Sequence, residues 1–530
     1  LCGQQVGQSN WSKGEMFLMS SRIVWVFLLC CCLFASAVSV AGAAPADVDR
    51  TFGQEGVARV QSDQGAYVSP VDMAVAPGGE IYVLRSAQRC SVSPCGGELL
   101  VSRFTPGGLL DSSFGFAGVR AVFGSAGGFH PSRNGSLAVA PDGRIVVGST
   151  DEGDLVLTRL NTDGSPDPGF GKAGVAKVHL SAPVDRVRLA IQADGRIVVG
   201  AEPQSGYGGD AVLIARYTAE GNPDPSFRDG NPLITSLGSG LGGMALNGTK
   251  TVIAGPRCCG PAGRAVHLAR IDENGAFDND FGRAGESFID DVTDRTGVGA
   301  LIVLPKGGIY VVGSGRNDKG DAFVMKLRPS GSLDSKFGRR GIAYLRHSFL
   351  DVSGAKVDRA GRLLIAGSAP AGTDRGPAYG PRRFALLRLL SSGRRDPTFA
   401  GGSMVRLASL AANRAVAIGL QQGRRLVALT SGGQCIRTCE SPTALLIRFL
   451  GGTSGSRCQG HRATIVGTRH GEKLVGTRHR DVIAALAGND RVLGRGGNDL
   501  ICGGRGDDRL VGGKGRDLLS GGAGHNQLHQ

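Results

Sequence analysis

The sequence predicts an all-β protein: a seven-bladed β-propeller followed by a small parallel β-roll. Three observations predict it. A D-x-x-F motif occurs seven times, as Asp49/Phe52, Asp111/Phe114, Asp167/Phe170, Asp224/Phe227, Asp278/Phe281, Asp334/Phe337 and Asp396/Phe399. Between its copies run two further apolar landmarks, one like PDGRIVVG and one like LVLTRL, each bounded by Gly, Pro, Asp and Asn. From Gly467 the chain divides without a gap into seven nonapeptides, GTRHGEKLV, GTRHRDVIA, ALAGNDRVL, GRGGNDLIC, GGRGDDRLV, GGKGRDLLS and GGAGHNQLH.

The first two observations define the propeller, placed at residues 47–452. Each unit holds three short Val/Ile/Leu-rich runs and a weaker fourth, such as VDMAVAP or GSLAVAP. Short apolar runs at this spacing, separated by turn signals, are strands. Four-stranded units repeated around an axis make a propeller, with each D-x-x-F unit expected to contribute one blade. The Asp of the motif follows a Gly-rich turn, so its carboxylate is expected to cap that turn through backbone N–H groups. The recurring Arg103, Arg159, Arg216, Arg270, Arg388 and Arg448 are expected to point outward or to pair locally. The units resemble the delta-60 repeat β-propellers, whose D-G-R-I-V-V-G signature is best matched by Asp142 to Gly148 and Asp194 to Gly200. That resemblance implies the fold and supplies no catalytic residue.

The nonapeptides carry the chemistry. Position 6 reads Glu472, Asp481, Asp490, Asp499, Asp508, Asp517, Asn526, and position 8 is always aliphatic. Glycine at positions 1, 2 and 4 permits positive φ and lets carbonyl oxygens turn toward a common centre. Calcium takes oxygen ligands from carboxylates and backbone carbonyls. Two nonapeptides make one turn of such a roll, so repeats two apart should stack, pairing Asp481 with Asp499, Asp490 with Asp508, and Asp499 with Asp517. The pattern G-G-x-G-x-D-x-U-x resembles the RTX (hemolysin-type) calcium-binding repeats. The expected calcium residues are Asp481, Gly488, Asp490, Gly497, Asp499, Gly506, Asp508, Gly515 and Asp517. The first two repeats depart from the pattern at His470 and His479 and read as a degenerate first turn, with 453–466 as linker and cap. Unpaired carboxylates brought together would repel, so folding of the roll at 467–530 should be coupled to the metal.

The chain's beginning bears on its address. Residues 1–15 read as translation upstream of a start at Met16 or Met19, and 16–43 as a signal peptide: Arg22, an apolar run from Ile23 to Val40, then small residues to Ala44. No stable membrane insertion is expected after cleavage, and the mature chain is expected to be secreted or envelope-associated. Of 12 cysteines, eight lie beyond that leader, in a compartment that permits disulfides. Cys90 with Cys95 and Cys435 with Cys439 would close local loops before the final strand of their units, Cys458 would join Cys502, and Cys258 and Cys259 are adjacent.

Formal net charge is +15, spread through every unit with no basic helix and no aromatic platform, which argues against nucleic acid. The expected partners are calcium ions and a cell-surface polymer, glycan or protein ligand. No H-E-x-x-H, phosphate-binding loop or G-x-S-x-G elbow occurs in a plausible context. Two readings of function follow: a calcium-binding protein with the propeller as an interaction scaffold, or a propeller hydrolase or lactonase that uses the roll for stability or secretion. Carboxylates, His or a metal converging at the propeller mouth would mark the second.

Overall fold

The computed structural model describes residues 48–530 apart from 61–66, 90–95, 126–134, 181–182, 204–210, 239, 261–262, 291–295, 316–321, 346–348, 350, 371–381, 408–411, 423–424, 433–443, 451–456, 464, 467–470, 472 and 477–479. Seven antiparallel four-stranded sheets form a propeller, and two parallel four-stranded sheets form the C-terminal roll. Among the described residues no helix is long and apolar enough to cross a membrane.

The blades run in chain order. Their first strands are Tyr67–Val75, Ser136–Val139, Val184–Ile191, Gly243–Asn247, Thr296–Val303, Asp351–Val357 and Ala412–Leu420. Each touches the next, and the last touches the first, so these seven strands ring the axis.

The blade boundaries correct the expectation that each D-x-x-F unit makes one blade. The strand after a motif pairs with the strand before it: Val119–Ser125, beyond Asp111 and Phe114, pairs with Gly96–Phe104. A motif therefore sits inside a blade, between its third and fourth strands. The strand after the first motif, Val57–Val60, pairs with Ala444–Phe449 of the last repeat. Closing the ring in this way gives a hydrogen-bonded neighbour to an edge that would otherwise be exposed. The same offset makes the segments holding Cys90/Cys95 and Cys435/Cys439 lead into third strands, not final ones; those four cysteines lie outside the described residues.

The motif joins neighbouring blades. All seven motif Phe side chains are at most 2 % exposed. Phe52, Phe114, Phe170, Phe227, Phe281 and Phe337 lie against glycines of the next blade's turn, Gly108, Gly164, Gly221, Gly275, Gly331 and Gly393, where any side chain would clash with the ring. The N–H of the residue after Phe donates to the same turn, as in Gly115 to Asp163 O (2.7 Å) and Gly282 to Ser330 O (2.8 Å). Only residues tolerating φ near +55° fit there; glycine does so at no steric cost, whereas Arg228 and Ala400 take that conformation in the two copies that lack it.

The recurring Arg does not point outward. Its Nε pairs with the motif carboxylate: Arg159 with Asp167 at 2.7 Å, Arg216 with Asp224 at 2.7 Å, Arg270 with Asp278 at 2.5 Å, Arg388 with Asp396 at 2.8 Å and Arg448 with Asp49 at 2.9 Å. The guanidinium covers the motif Phe, 4.5 Å above Phe399 and 4.7 Å above Phe170, a favourable cation–π geometry. Its outer nitrogens reach carbonyls in the next blade, Pro329 O from Arg270 (2.6 Å) and Pro106 O from Arg448 (2.8 Å). The fifth blade varies the theme, with Lys326 on Asp334 (3.2 Å) and Phe337 packed edge-on against Tyr310.

The Asp does cap its turn as well. In each copy Oδ1 accepts the N–H two residues on, from Thr51, Ser113, Gly169, Ser226, Asp280, Lys336 and Thr398.

Candidate metal centre in the roll

The roll's two sheets are built from alternate nonapeptides. One contains Ile465–Val466, Val482–Ala484, Leu500–Arg505 and Leu518–Ala523. The other contains Lys473–Val475, Arg491–Gly496, Arg509–Lys514 and Gln527–His529. Every pair is parallel and in register at a step of 18 residues, as in Ile483 with Ile501 and Val492 with Leu510. The position-8 residues Leu474, Ile483, Val492, Ile501 and Leu510 form the core between the sheets. Lys473–Val475 is a strand, so the first repeat, though degenerate, contributes to the body of the roll.

Each sheet continues into a glycine-rich turn that holds its Asp. Position 4 has positive φ from the third repeat onward, 106° at Gly488, 111° at Gly497, 122° at Gly506 and 139° at Gly515. Position 2 is left-handed too, and Leu486 (80°) and Arg495 (76°) hold it without being glycine. These glycines stack on the carbonyls of the preceding turn: a side chain on Gly506 would strike Gly488 O, and one on Gly515 would strike Gly497 O. Two columns of backbone oxygens result.

The carboxylates stack as the spacing requires. The Asp481 N–H donates to Asp499 Oδ1 (2.8 Å), Asp490 N–H to Asp508 Oδ1 (2.8 Å) and Asp499 N–H to Asp517 Oδ1 (2.8 Å). All five Asp residues are buried, none more than 7 % exposed. One oxygen of Asp499, Asp508 and Asp517 is thus satisfied by backbone. The second oxygen, Oδ2 of Asp499, Asp508 and Asp517, is buried without a hydrogen-bond partner among the described residues. It rests against the first glycine of its own repeat, Gly494, Gly503 and Gly512 respectively, where a Cβ would collide with it.

An ionised carboxylate oxygen in that state costs several kcal/mol, so these groups require either a proton or a cation. Burial pushes the Asp499 carboxyl above its ordinary range, opposed by the Asp481 N–H and reinforced by the charges of Asp481 and Asp517. Burial raises Asp508 likewise, opposed by the Asp490 N–H and reinforced by Asp507. Donors consisting only of carboxylate and carbonyl oxygens suit a hard cation. Among the described residues no three His, Cys, Asp or Glu side chains gather at one point, as expected where each turn supplies one carboxylate and the backbone supplies the rest.

Sequence reading missed a second ladder, at position 5. Asn489 Oδ1 accepts from the Asp507 N–H (2.9 Å), Asn498 Oδ1 from Arg516 N–H (3.0 Å) and Asp507 Oδ1 from His525 N–H (2.8 Å). The recurrence of Asn or Asp before the metal-type Asp was its only signal. Cys458 and Cys502 are joined by a disulfide, Cα atoms 5.5 Å apart, which fixes the cap to the outer side of the first sheet. The side chains of Cys258 and Cys259 lie outside the described residues.

The propeller has an axial mouth of ≈ 870 Å³ on the side of the D-x-x-F turns. Its wall includes Val75, Val139, Ile191, Val357 and Leu420, the last residues of five first strands. Its carboxylate, Asp358, is turned away: it accepts from Arg362 Nε (2.7 Å) and from the Ala360 and Arg362 N–H groups.

The RTX calcium-binding nonapeptide repeat matches residues 475–510 and 503–529. The DUF5122 β-propeller, a domain of unknown function, matches 140–170, 192–227 and 307–337. The chain carries RTX calcium-binding repeats behind a propeller of DUF5122 type. Among curated proteins the sequence comparison finds no match. Solved structures similar to it include a Dyadobacter fermentans protein of unknown function, 14 % identical, covering 63 % of this chain and 98 % of that one with a TM-score of 0.37. Another is Chaetomium thermophilum Sqt1, 13 % identical, covering 74 % and 99 % with a TM-score of 0.38. A third is a Lactobacillus plantarum protein, 13 % identical, covering 64 % and 84 % with a TM-score of 0.36. None of these likenesses bears on activity.

Proposed function

We propose that this is an exported calcium-binding scaffold: a roll that folds on calcium, joined to a propeller that binds an extracellular or cell-surface ligand at its axial mouth. The observation that carries the reading is the pair of Asp ladders, in which Asp499, Asp508 and Asp517 each have one carboxylate oxygen satisfied by backbone and the other buried against a glycine without a hydrogen-bond partner among the described residues. Asp490 and Asp508 on one edge, and Asp481, Asp499 and Asp517 on the other, would hold calcium together with carbonyls of the turns at Gly488, Gly497, Gly506 and Gly515. Calcium supplies the positive charge that lets adjacent buried carboxylates remain ionised in a folded roll.

Binding rather than hydrolysis is favoured by the mouth, whose aliphatic wall and engaged Asp358 resemble a ligand pocket more than a catalytic centre. Five of the seven motif carboxylates each face two cations, as Asp224 faces Arg196 (3.0 Å) and Arg216 (2.7 Å). Ten of the propeller's cations are therefore engaged by these carboxylates, which lowers the charge free to attract nucleic acid. The leader at 16–43 and the Cys458–Cys502 bond fit an oxidising, extracytoplasmic address.

The test is amide hydrogen exchange on the full chain with calcium and with chelator. Calcium should protect residues 485–525, and Asp499→Ala and Asp508→Ala should each weaken that protection and lower the number of ions bound at equilibrium dialysis. Equal protection in chelator would show the ladders to be purely architectural.

A further inference from the structure

Each of the seven first strands is hydrogen-bonded along one edge to the second strand of its blade, is flanked by the neighbouring blades, and turns its other edge to the axis. Among their described side chains four are exposed, Arg186, Arg188, Lys356 and Arg414, and all four are cationic. Solvent reaches Arg188 and Lys356, which lie inside their strands, along the axial bore. Lys356 directly precedes Val357 of the mouth wall, and Arg188 stands three residues before Ile191 of the same wall. At the rise of a β-strand, the first lies about 3 Å and the second about 10 Å below that wall.

Three of these cations have acids. Arg186 has Glu202 at 3.8 Å, and Arg414 has Asp351 at 3.6 Å. Arg188 donates from Nε to Leu241 O (3.1 Å), and burial draws its guanidinium below the ordinary value against the pull of Glu202 and Asp72. A group so enclosed and yet exposed lines a narrow bore. Asp72 stands at the matching level of the first blade, three residues before Val75, and accepts from the Met73 N–H (2.8 Å), the Leu137 N–H (2.9 Å) and the Ser136 hydroxyl (3.2 Å). Lys356 differs, having no hydrogen-bond or ion-pair partner among the described residues. Its equivalents in the other six blades are Ala74, Ala138, Ala190, Leu246, Ile302 and Gly419, none of which carries a polar side chain.

The Lys356 ammonium therefore relies on solvent in the bore. A ligand that fills the mouth displaces that solvent, and an ammonium left among aliphatic groups without a counter-charge is strongly unfavourable. The ligand has to bring a negative charge to Lys356. One charge is enough, because Arg188 already faces Asp72 and Glu202. The remainder has to be apolar to suit the aliphatic wall, and a mouth of ≈ 870 Å³ is the size of a small-molecule site.

We propose that the axial mouth binds a small monocarboxylate with an apolar body, its carboxylate on Lys356 with Arg188 beyond, and its hydrocarbon part against Val75, Val139, Ile191, Val357 and Leu420. The proposal rests on the mouth being a ligand site and supplies the chemistry of the ligand.

The probe is octanoate, titrated calorimetrically into the full calcium-loaded chain beside octanol, octyl phosphate and octyltrimethylammonium. Octanoate should saturate one site, with the other three at least about tenfold weaker, the size of one charge-assisted contact. Lys356→Gln should weaken octanoate by a similar factor and leave octanol unchanged, which shows the mouth still formed, and Lys356→Arg should keep most of the affinity. Arg406→Gln, on the exposed outermost strand of the same blade, should have no effect. The proposal is overturned if octanol or octyltrimethylammonium binds as tightly as octanoate, if octyl phosphate binds more tightly, or if Lys356→Gln and Arg406→Gln weaken octanoate equally. Val139→Gln separates this failure from that of the mouth as a site. Octanol binding that equals octanoate binding and is lost in Val139→Gln keeps the ligand site and removes the anion, whereas a chain that takes up neither compound removes both.

Discussion

Arg388 and Asp396 meet with about 1 % of either side chain exposed, and the guanidinium also lies over Phe399. Burial and the nearby Arg362 cation draw the Arg388 guanidinium down to about 10, against the pull of Asp396. Removing one partner of such a pair strands the other, so Arg388→Met should cost about 3 to 5 kcal/mol of propeller stability in denaturant titration. Arg103 and Asp111 make the same contact with 13 % and 22 % of their side chains exposed, and Arg103→Met should cost about 1 kcal/mol or less. Similar losses for both would mean that burial does not govern the pair. In the roll, Leu486 sits at φ 80°, at the position glycine fills in Gly504 and Gly522. A left-handed non-glycine residue costs about 1 kcal/mol or more, so Leu486→Gly should lower the calcium needed for half-maximal folding. An unchanged or raised midpoint would show that Leu486 packing outweighs its strain. The motif residues themselves were readable in the sequence as repeats. Their roles were only half readable, because a repeated Arg eight residues before a repeated Asp gives no sign that a turn brings the two together.

At the scale of the element, the roll was the more legible half: period, stacking partners and inward position all follow from a nine-residue repeat with two repeats per turn. The blade was less so, since periodicity fixes the length of a repeat but not where a sheet begins, and only pairing of Val57–Val60 with Ala444–Phe449 decides it. The motif carboxylates also predict how the blades respond to acid. Burial opposes ionisation of Asp224, but Ser226 and Arg216 outweigh it and hold the carboxyl below its ordinary value. Asp167 is held down by the Gly169 N–H and Arg159 against the same burial, and Asp278 by Lys250 and Arg270. Folded values lie below the unfolded value, so the stability these groups contribute is fully present above about pH 4 and is lost as pH falls through the depressed folded values. The propeller's melting temperature should therefore hold from neutrality to about pH 5 and fall steeply below about pH 4. A melting temperature that rose on acidification across that window would contradict the assigned direction.

For the molecule as a whole, one short segment keeps a ring of seven sheets closed. Residues 48–60 touch both ends of it. Val57–Val60 completes the seventh blade, Asp49 pairs with Arg448 and Arg425 of that blade, and Phe52 packs under Arg448. Phe52 also lies against Gly108 of the first blade, while the Gly53 N–H donates to Gly107 O (2.8 Å). One short segment therefore joins the last repeat to the first, and no part of this closure uses the roll's carboxylates. Two experiments should then give opposite results. Chelation should abolish the roll's calorimetric transition and leave the propeller's in place. Truncation to residues 61–530 should leave the roll's calcium-dependent transition intact and destabilise the propeller by more than the roughly 3 to 5 kcal/mol typical of losing one buried Phe such as Phe52. A truncated chain whose propeller melts like the full one would show that the ring is closed by something other than its first strand, and a propeller that melts on chelation would show that its stability depends on calcium.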